Sequence, residues 1–148
     1  MAFSTSYVLN SVKENLGVLQ MSNSVKAIPA SQSVIVFETD KPFVLDALDW
    51  YPRNETTAGI KIMPNGYTGA VPTHTGQDLT NTITPADIIK GVAPSMFNVV
   101  NYDTSITTPL ICFTLKQPMY FPQGVKIELT NTGDAQVRNG AHVRGREL

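Results

Sequence analysis

Cys112 is the only cysteine of this 148-residue chain, and His74 and His142 are the only histidines. Nucleophilic catalysis needs a Ser or Cys with a base in reach. Cys112 stands in the run PLICFTL, between Ile111 and Phe113. On a strand it faces away from both neighbours, and as a small apolar residue it needs no further role. His74, in the loop-like PTHTGQD, is the better-placed base, but no Gly-x-Ser-x-Gly elbow precedes it. A hydrolase reading requires His74 within hydrogen-bond reach of an Asp. Two histidines without carboxylates at ligand spacing make no metal site.

Asp46 and Asp49, in FVLDALDWY, resemble the paired acids of a glycosidase. Residues three apart on a regular strand face opposite sides, however. The simpler reading is two outward acids that discourage edge-to-edge association of sheets. Trp50 and Tyr51, ahead of Pro52 and Arg53, offer a sugar-stacking platform. The competing reading is a core Trp with its N–H bonded at the rim and a half-exposed Tyr. The glycines of NGYTG and GAVPTHTG lack the spacing of a phosphate cradle. No cofactor is expected.

Composition narrows the classes further. The charged fraction is 16% and the formal net charge is −1, with Lys and Arg mostly scattered singly. That gives no basic stripe for nucleic acid. No run reaches the roughly 20 apolar residues of a membrane span. The start, MAFSTSYVLNSVKENLG, lacks the charged and apolar regions of a secretory leader. A single cysteine excludes an internal disulfide. The expectation is a protein made in a cytoplasm that contacts neither membrane nor nucleic acid.

The elements that must position these residues read mainly as strands. SVIVFE (33–38), FVLDALDWY (43–51), GIKIM (59–63), FNVVNY (97–102), PLICFTL (109–115) and VKIELTN (125–131) are β-branched, aromatic or alternating. In 43–51, strict alternation puts Val44, Asp46, Leu48 and Trp50 on one face. Asn65-Gly66 is a hairpin-type turn signal. AQVRNGAHV (135–143) reads as a strand or as a second Asn-Gly hairpin. In TITPADIIKG, Thr84 can cap, Pro85 fits the first helical position, Asp87 suits the first turn and Gly91 can end a short helix. Val8, Leu9, Val12, Leu16 and Leu19 recur at helical steps over residues 6–20, although an extended arm along a partner fits as well. Eight or nine short strands predict an all-β fold, an antiparallel β-sandwich with one or two short helices. The division expected is an arm or short helix over 1–30, serving assembly more than folding, and a sandwich over 31–148.

The stretch CFTLKQPMYFPQGVKIELTNTGD (112–134) joins two apolar runs through Pro122-Gln123-Gly124. It reads as strand, tight corner, strand, with the corner suited to a sandwich edge where the chain crosses between sheets. The larger segment PLICFTLKQPMYFPQGVKIELTNTGDA resembles the C-terminal strands of small jelly-roll decoration, or cement, proteins of tailed bacteriophages. The resemblance spans about residues 97–135. It implies a jelly-roll-like, non-enzymatic virion protein, commonly a homotrimer seated over junctions between major capsid subunits. Val8, Leu9, Val12 and Leu16 of the arm, and a C-terminal basic strip of Arg138, Arg144 and Arg146, are then the partner-binding residues. If the tail stays extended, those arginines and His142 share one parity and form one basic edge; the competing reading is a frayed, solvated terminus. A carbohydrate- or receptor-binding module of a fibre or tail, stacking sugars on Trp50 and Tyr51, is the alternative.

Overall fold

The computed structural model describes residues 17–66, 82–91 and 96–148. The described residues form two packed antiparallel sheets. Nine strands follow in chain order: β1 (Val18–Ile28), β2 (Ser33–Thr39), β3 (Phe43–Pro52), β4 (Ala58–Pro64), β5 (Phe97–Asp103), β6 (Leu110–Leu115), β7 (Met119–Phe121), β8 (Val125–Asn131) and β9 (Val137–Glu147). One helix, α1 (Pro85–Ile89), lies between β4 and β5. The larger sheet has the order β1-β9-β3-β6-β5, with β7 also on β3, and the smaller has β2-β8-β4.

This order is that of a chain folded back on itself and rolled up. β1 pairs with β9, β2 with β8, and β3 with β7 and β6. Such nested pairing across two sheets is the jelly-roll pattern. It is incomplete at one end, because β5 pairs with β6 in the larger sheet rather than with β4.

The corner at Pro122-Gln123-Gly124 is where the chain leaves the larger sheet for the smaller. β7 and β8 are therefore not a hairpin, although they are adjacent in sequence. Gly124 N donates to Phe121 O at 3.2 Å, closing the turn. Gly124 has φ +89°, and a Cβ there would lie 2.0 Å from Thr39 O. Only glycine fits both constraints.

The core lies between the sheets. Trp50, Phe43, Phe113, Leu45, Leu48, Ile60, Ile62, Ile127 and Leu129 are fully buried. Trp50 sits 5.3 Å from Phe113 and 6.0 Å from Phe97, ring centre to ring centre. Leu115 packs at the margin of this core. Of the four buried polar residues among those described, Thr39, Thr130, Asn131 and Asn139, the last has 0% exposure. Its Oδ1 accepts from Trp50 Nε1 at 2.8 Å, while its Nδ2 donates to Gly59 O at 2.8 Å and Thr130 O at 3.2 Å. One side chain on β9 thus links the larger sheet to both β4 and β8. Asn131 does similar work at the sandwich end. Its Nδ2 donates to the carbonyls of Ile28, Pro29 and Ala135, and its Oδ1 accepts from Gly133 N.

Three local expectations change. First, β3 does not alternate strictly: its register against β9 shifts between Leu45 and Ala47. Leu45 and Leu48 both point inward, and the extra residue moves Asp46 away from the Leu48 and Trp50 face. Second, of the two readings of 135–143 the strand holds and the hairpin does not: Asn139-Gly140 lies inside β9, which runs unbroken to Glu147. Third, the helical reading of residues 6–20 fails at its described end, where 18–20 are extended. The boundary drawn at residue 30 falls in the turn between β1 and β2. β1 pairs with β9 along its whole length, ends in the fully buried Ile28, and is tied to β2 through Ser22 Oγ donating to Val36 O. Residues 18–28 are thus part of the larger sheet. Val8, Leu9, Val12 and Leu16 lie outside the described residues.

The α1 reading holds closely. Thr84 and Asp87 form a reciprocal capping box, Pro85 opens the helix, and Gly91 follows it at φ +73°. Short as it is, α1 is held to β4 by a two-way bridge between Ile83 and Ile60.

Asn139→Ala would leave a buried indole N–H without its acceptor and two carbonyls without that donor. Each such loss costs about 1–3 kcal/mol, so the expected destabilisation is about 3–5 kcal/mol. Asn98→Ala, on the exposed face, should cost about 0.5 kcal/mol or less. Urea melts followed by the fluorescence of the single tryptophan compare the two. Equal costs would remove Asn139 as a tie between the sheets.

Candidate functional site

The outer face of the larger sheet gathers most of the polar residues singled out in the sequence. One row crosses five strands by register: Asn23, His142, Asp49, Thr114 and Asn98. A parallel row holds Met21, Arg144 and Ala47, and a third holds Leu19, Arg146 and Val44. Small Ala47 between longer neighbours leaves a shallow, open depression. Met21, Asn23, Ala47, Asp49, His142 and Arg144 line it.

Asp46 and Asp49 do share this face, contrary to strict alternation, because of the bulge in β3. They are not equivalent. Asp46 Oδ2 lies 3.6 Å from Arg146 Nε, while Asp49 stands opposite His142 without a hydrogen bond to it. Neither belongs to an edge strand, since β3 lies inside the sheet. The reading of these acids as edge protectors is therefore replaced by one ion pair and one acid beside the depression.

Arg138, His142 and Arg144 are exposed on the same side of β9, as their parity predicts, and Arg146 is half-buried there. They do not make an edge. β9 lies between β1 and β3, so the arginines form a ridge along the face, one strand in from the border. Nor is the C-terminus frayed: Leu148 N donates to Pro42 O at 2.8 Å, and Glu147 accepts from Thr39 Oγ1 at 2.7 Å.

Trp50 and Tyr51 are separated by the strand between them. Trp50 faces the core and is fully buried, so it presents no surface to a sugar. Tyr51 is half-buried on the outer face, with its ring edge-on to His142 at 5.3 Å. Cys112 is half-buried beside it, facing away from the buried Ile111 and Phe113. Burial, and then the Asp49 carboxylate, push the Cys112 thiol above its ordinary range. The same two causes raise the Tyr51 hydroxyl. A protonated thiol is a weak nucleophile. His74 lies outside the described residues. Among the described residues no group of three or more His, Cys, Asp or Glu is placed to hold a metal.

The feature that sequence reading missed is the border beside the ridge. β1 is an edge strand of eleven residues whose partner among the described strands is β9 alone. It exposes Val18 (65%), Leu19 (47%), Met21 (73%) and Val25 (61%). Long edges with exposed apolar side chains are uncommon, because their backbone groups invite another strand. The signal was present as alternation in VLQMSNSVKAI, hidden behind the helical steps that run into Leu19.

Cys112 should react with a thiol-specific disulfide reagent more slowly at pH 7 than a free cysteine does, and its rate should rise with pH later than that of free cysteine, because its ionisation is shifted upward. Rapid labelling at neutral pH would show an activated thiol and revive the nucleophile reading. Comparison with protein-family models and with curated proteins finds no match for this chain.

Proposed function

We propose that this chain is a non-enzymatic structural protein of a virus particle, a decoration or cement subunit that binds the major capsid protein and other copies of itself. The observation that carries the reading is the edge strand β1, with its exposed apolar side chains next to the arginine ridge of β9. A surface of that kind suits another protein chain: apolar contact at the border, charge beside it. The jelly-roll-like strand order is compatible with this role, and the resemblance of residues 97–135 to phage decoration proteins points the same way. The Trp50 and Tyr51 platform of the carbohydrate reading loses its larger ring to the core. On this proposal the protein works on the virion, after synthesis in the host cytoplasm.

The ridge contributes selectivity rather than bulk affinity. Exposed ion pairs are worth about 0–1 kcal/mol each, and complementary charge acts mainly on encounter rate and register. Arg146 is already engaged by Asp46, so Arg138 and Arg144 are freer to meet an acidic surface.

Immunogold labelling of purified virus particles from the source culture should place the chain on heads. Changing Arg138, Arg144 and Arg146 together to Ser should slow attachment to those heads at low salt. Wild type should approach the same behaviour at high salt. Attachment unaffected at low salt would remove the ridge from the contact, and absence of label from all particles would remove the virion role.

A further inference from the structure

We infer that β1 pairs with β1 of a second copy, antiparallel about a two-fold axis at Asn23, joining two larger sheets into one. The inference rests on the reading of β1 as a protein-binding edge and names what binds there.

The sequence of β1, VLQMSNSVKAI, is complementary to itself in this register. Asn23 meets Asn23 of the second copy. Met21 then stands opposite Val25, twice by symmetry, which pairs the two most exposed apolar side chains of the strand's central part. Leu19 stands opposite Ala27. The single charge of the strand, Lys26, falls opposite Gln20 and not opposite its own copy, so no like charges meet. Cross-strand apolar pairs of this kind stabilise antiparallel sheets, and like charges directly opposite destabilise them.

The arginine ridges do not oppose this arrangement. In the joined sheet the two β9 strands are separated by two β1 strands, three inter-strand spacings or about 14 Å. That exceeds the screening length of about 8 Å at physiological salt. Both ridges then lie on one side of a continuous sheet, presenting a doubled basic surface. The count of three implied by the phage resemblance is not what this edge favours, since self-pairing is two-fold.

The full chain should sediment with twice the mass of one protomer. Met21→Glu puts a carboxylate opposite Val25 of the second copy while facing Arg144 in its own sheet. It should stay folded by circular dichroism and sediment as a monomer. Asn23→Cys, in a Cys112→Ser background, should cross-link to itself on mild oxidation, because directly opposed Cα atoms lie about 4.5–5.5 Å apart, within disulfide reach. Leu19→Cys in the same background should not, since its own copy is about 26 Å away along the seam. A monomeric or trimeric wild type would overturn the pairing, as would a dimer in which Asn23→Cys fails to cross-link. A monomer or trimer that still labels virus heads would leave the capsid reading standing. A cross-linked dimer found on no particle would remove that reading and keep the pairing.

Discussion

The sandwich depends on a buried amide. Among the described residues, Asn139 is the one side chain that hydrogen-bonds a residue of its own sheet and backbone carbonyls of two strands in the other. Apolar packing between sheets is non-directional and tolerates sliding. A satisfied buried polar group does not, because displacement by one residue leaves its partners unpaired in a medium that gives no water in return. The Trp50–Asn139 pair therefore fixes how β3 and β9 sit against β4 and β8. Gly59 belongs to the same arrangement: a Cβ there would press against Thr130 Oγ1 at 2.6 Å and Thr82. The close approach of β4 to its surroundings and the reach of the amide to Gly59 O go together.

With the inner face so committed, variety is left to the outer one. The bulge at Asp46 is the clearest case. It keeps Phe43 and Leu45 in the core on one side of it and Leu48 and Trp50 in the core on the other. The cost is an extra residue, and that residue carries a carboxylate that meets Arg146. The interruption between β6 and β7 lies across from the same part of β3, since Leu45 pairs with Met119 and Asp49 with Thr114. Both strands yield in the same region, so the distortion stays local.

Much of the architecture was legible in the sequence, and the misses have physical causes. The cores of the strands were visible because their alternation reports burial on one side. The corner at Pro122–Gly124 was visible because proline and glycine have few alternative uses. Thr84-Pro85-Ala86-Asp87 carries a capping box whose donors and acceptors are all local. The parity of β3 was misread because a bulge leaves no mark on a short strand. Asn139-Gly140 was weighed as a turn because the same dipeptide serves both purposes, and only the tertiary demand of Trp50 decides between them. β1 was read as helix or arm because three- and four-residue steps leading into Leu19 masked the two-residue period that begins there. The outer-face site was named only in pieces: Arg138, Arg144 and Arg146 by parity, Asp46 and Asp49 as a pair, and Tyr51 as a ring. Which strand lay beside which was not recoverable from any of them.

The nesting of strands also bears on the order in which the chain can become a protein. β1 pairs with β9, so Val18 meets Glu147 and the first described strand waits for the last. β3 takes two of its neighbours, β9 and β6 with β7, from the later half of the chain as well. Topologies dominated by such distant pairings fold slowly, because loop closure is required before any contact repays it. On a ribosome, the larger sheet has no centre until residues 137–147 have left the exit tunnel. Until then β1 is an apolar strand with neither edge covered. Assembly of this domain therefore waits for residues 137–147, and the emerging chain is most prone to aggregation in the interval before β9 arrives.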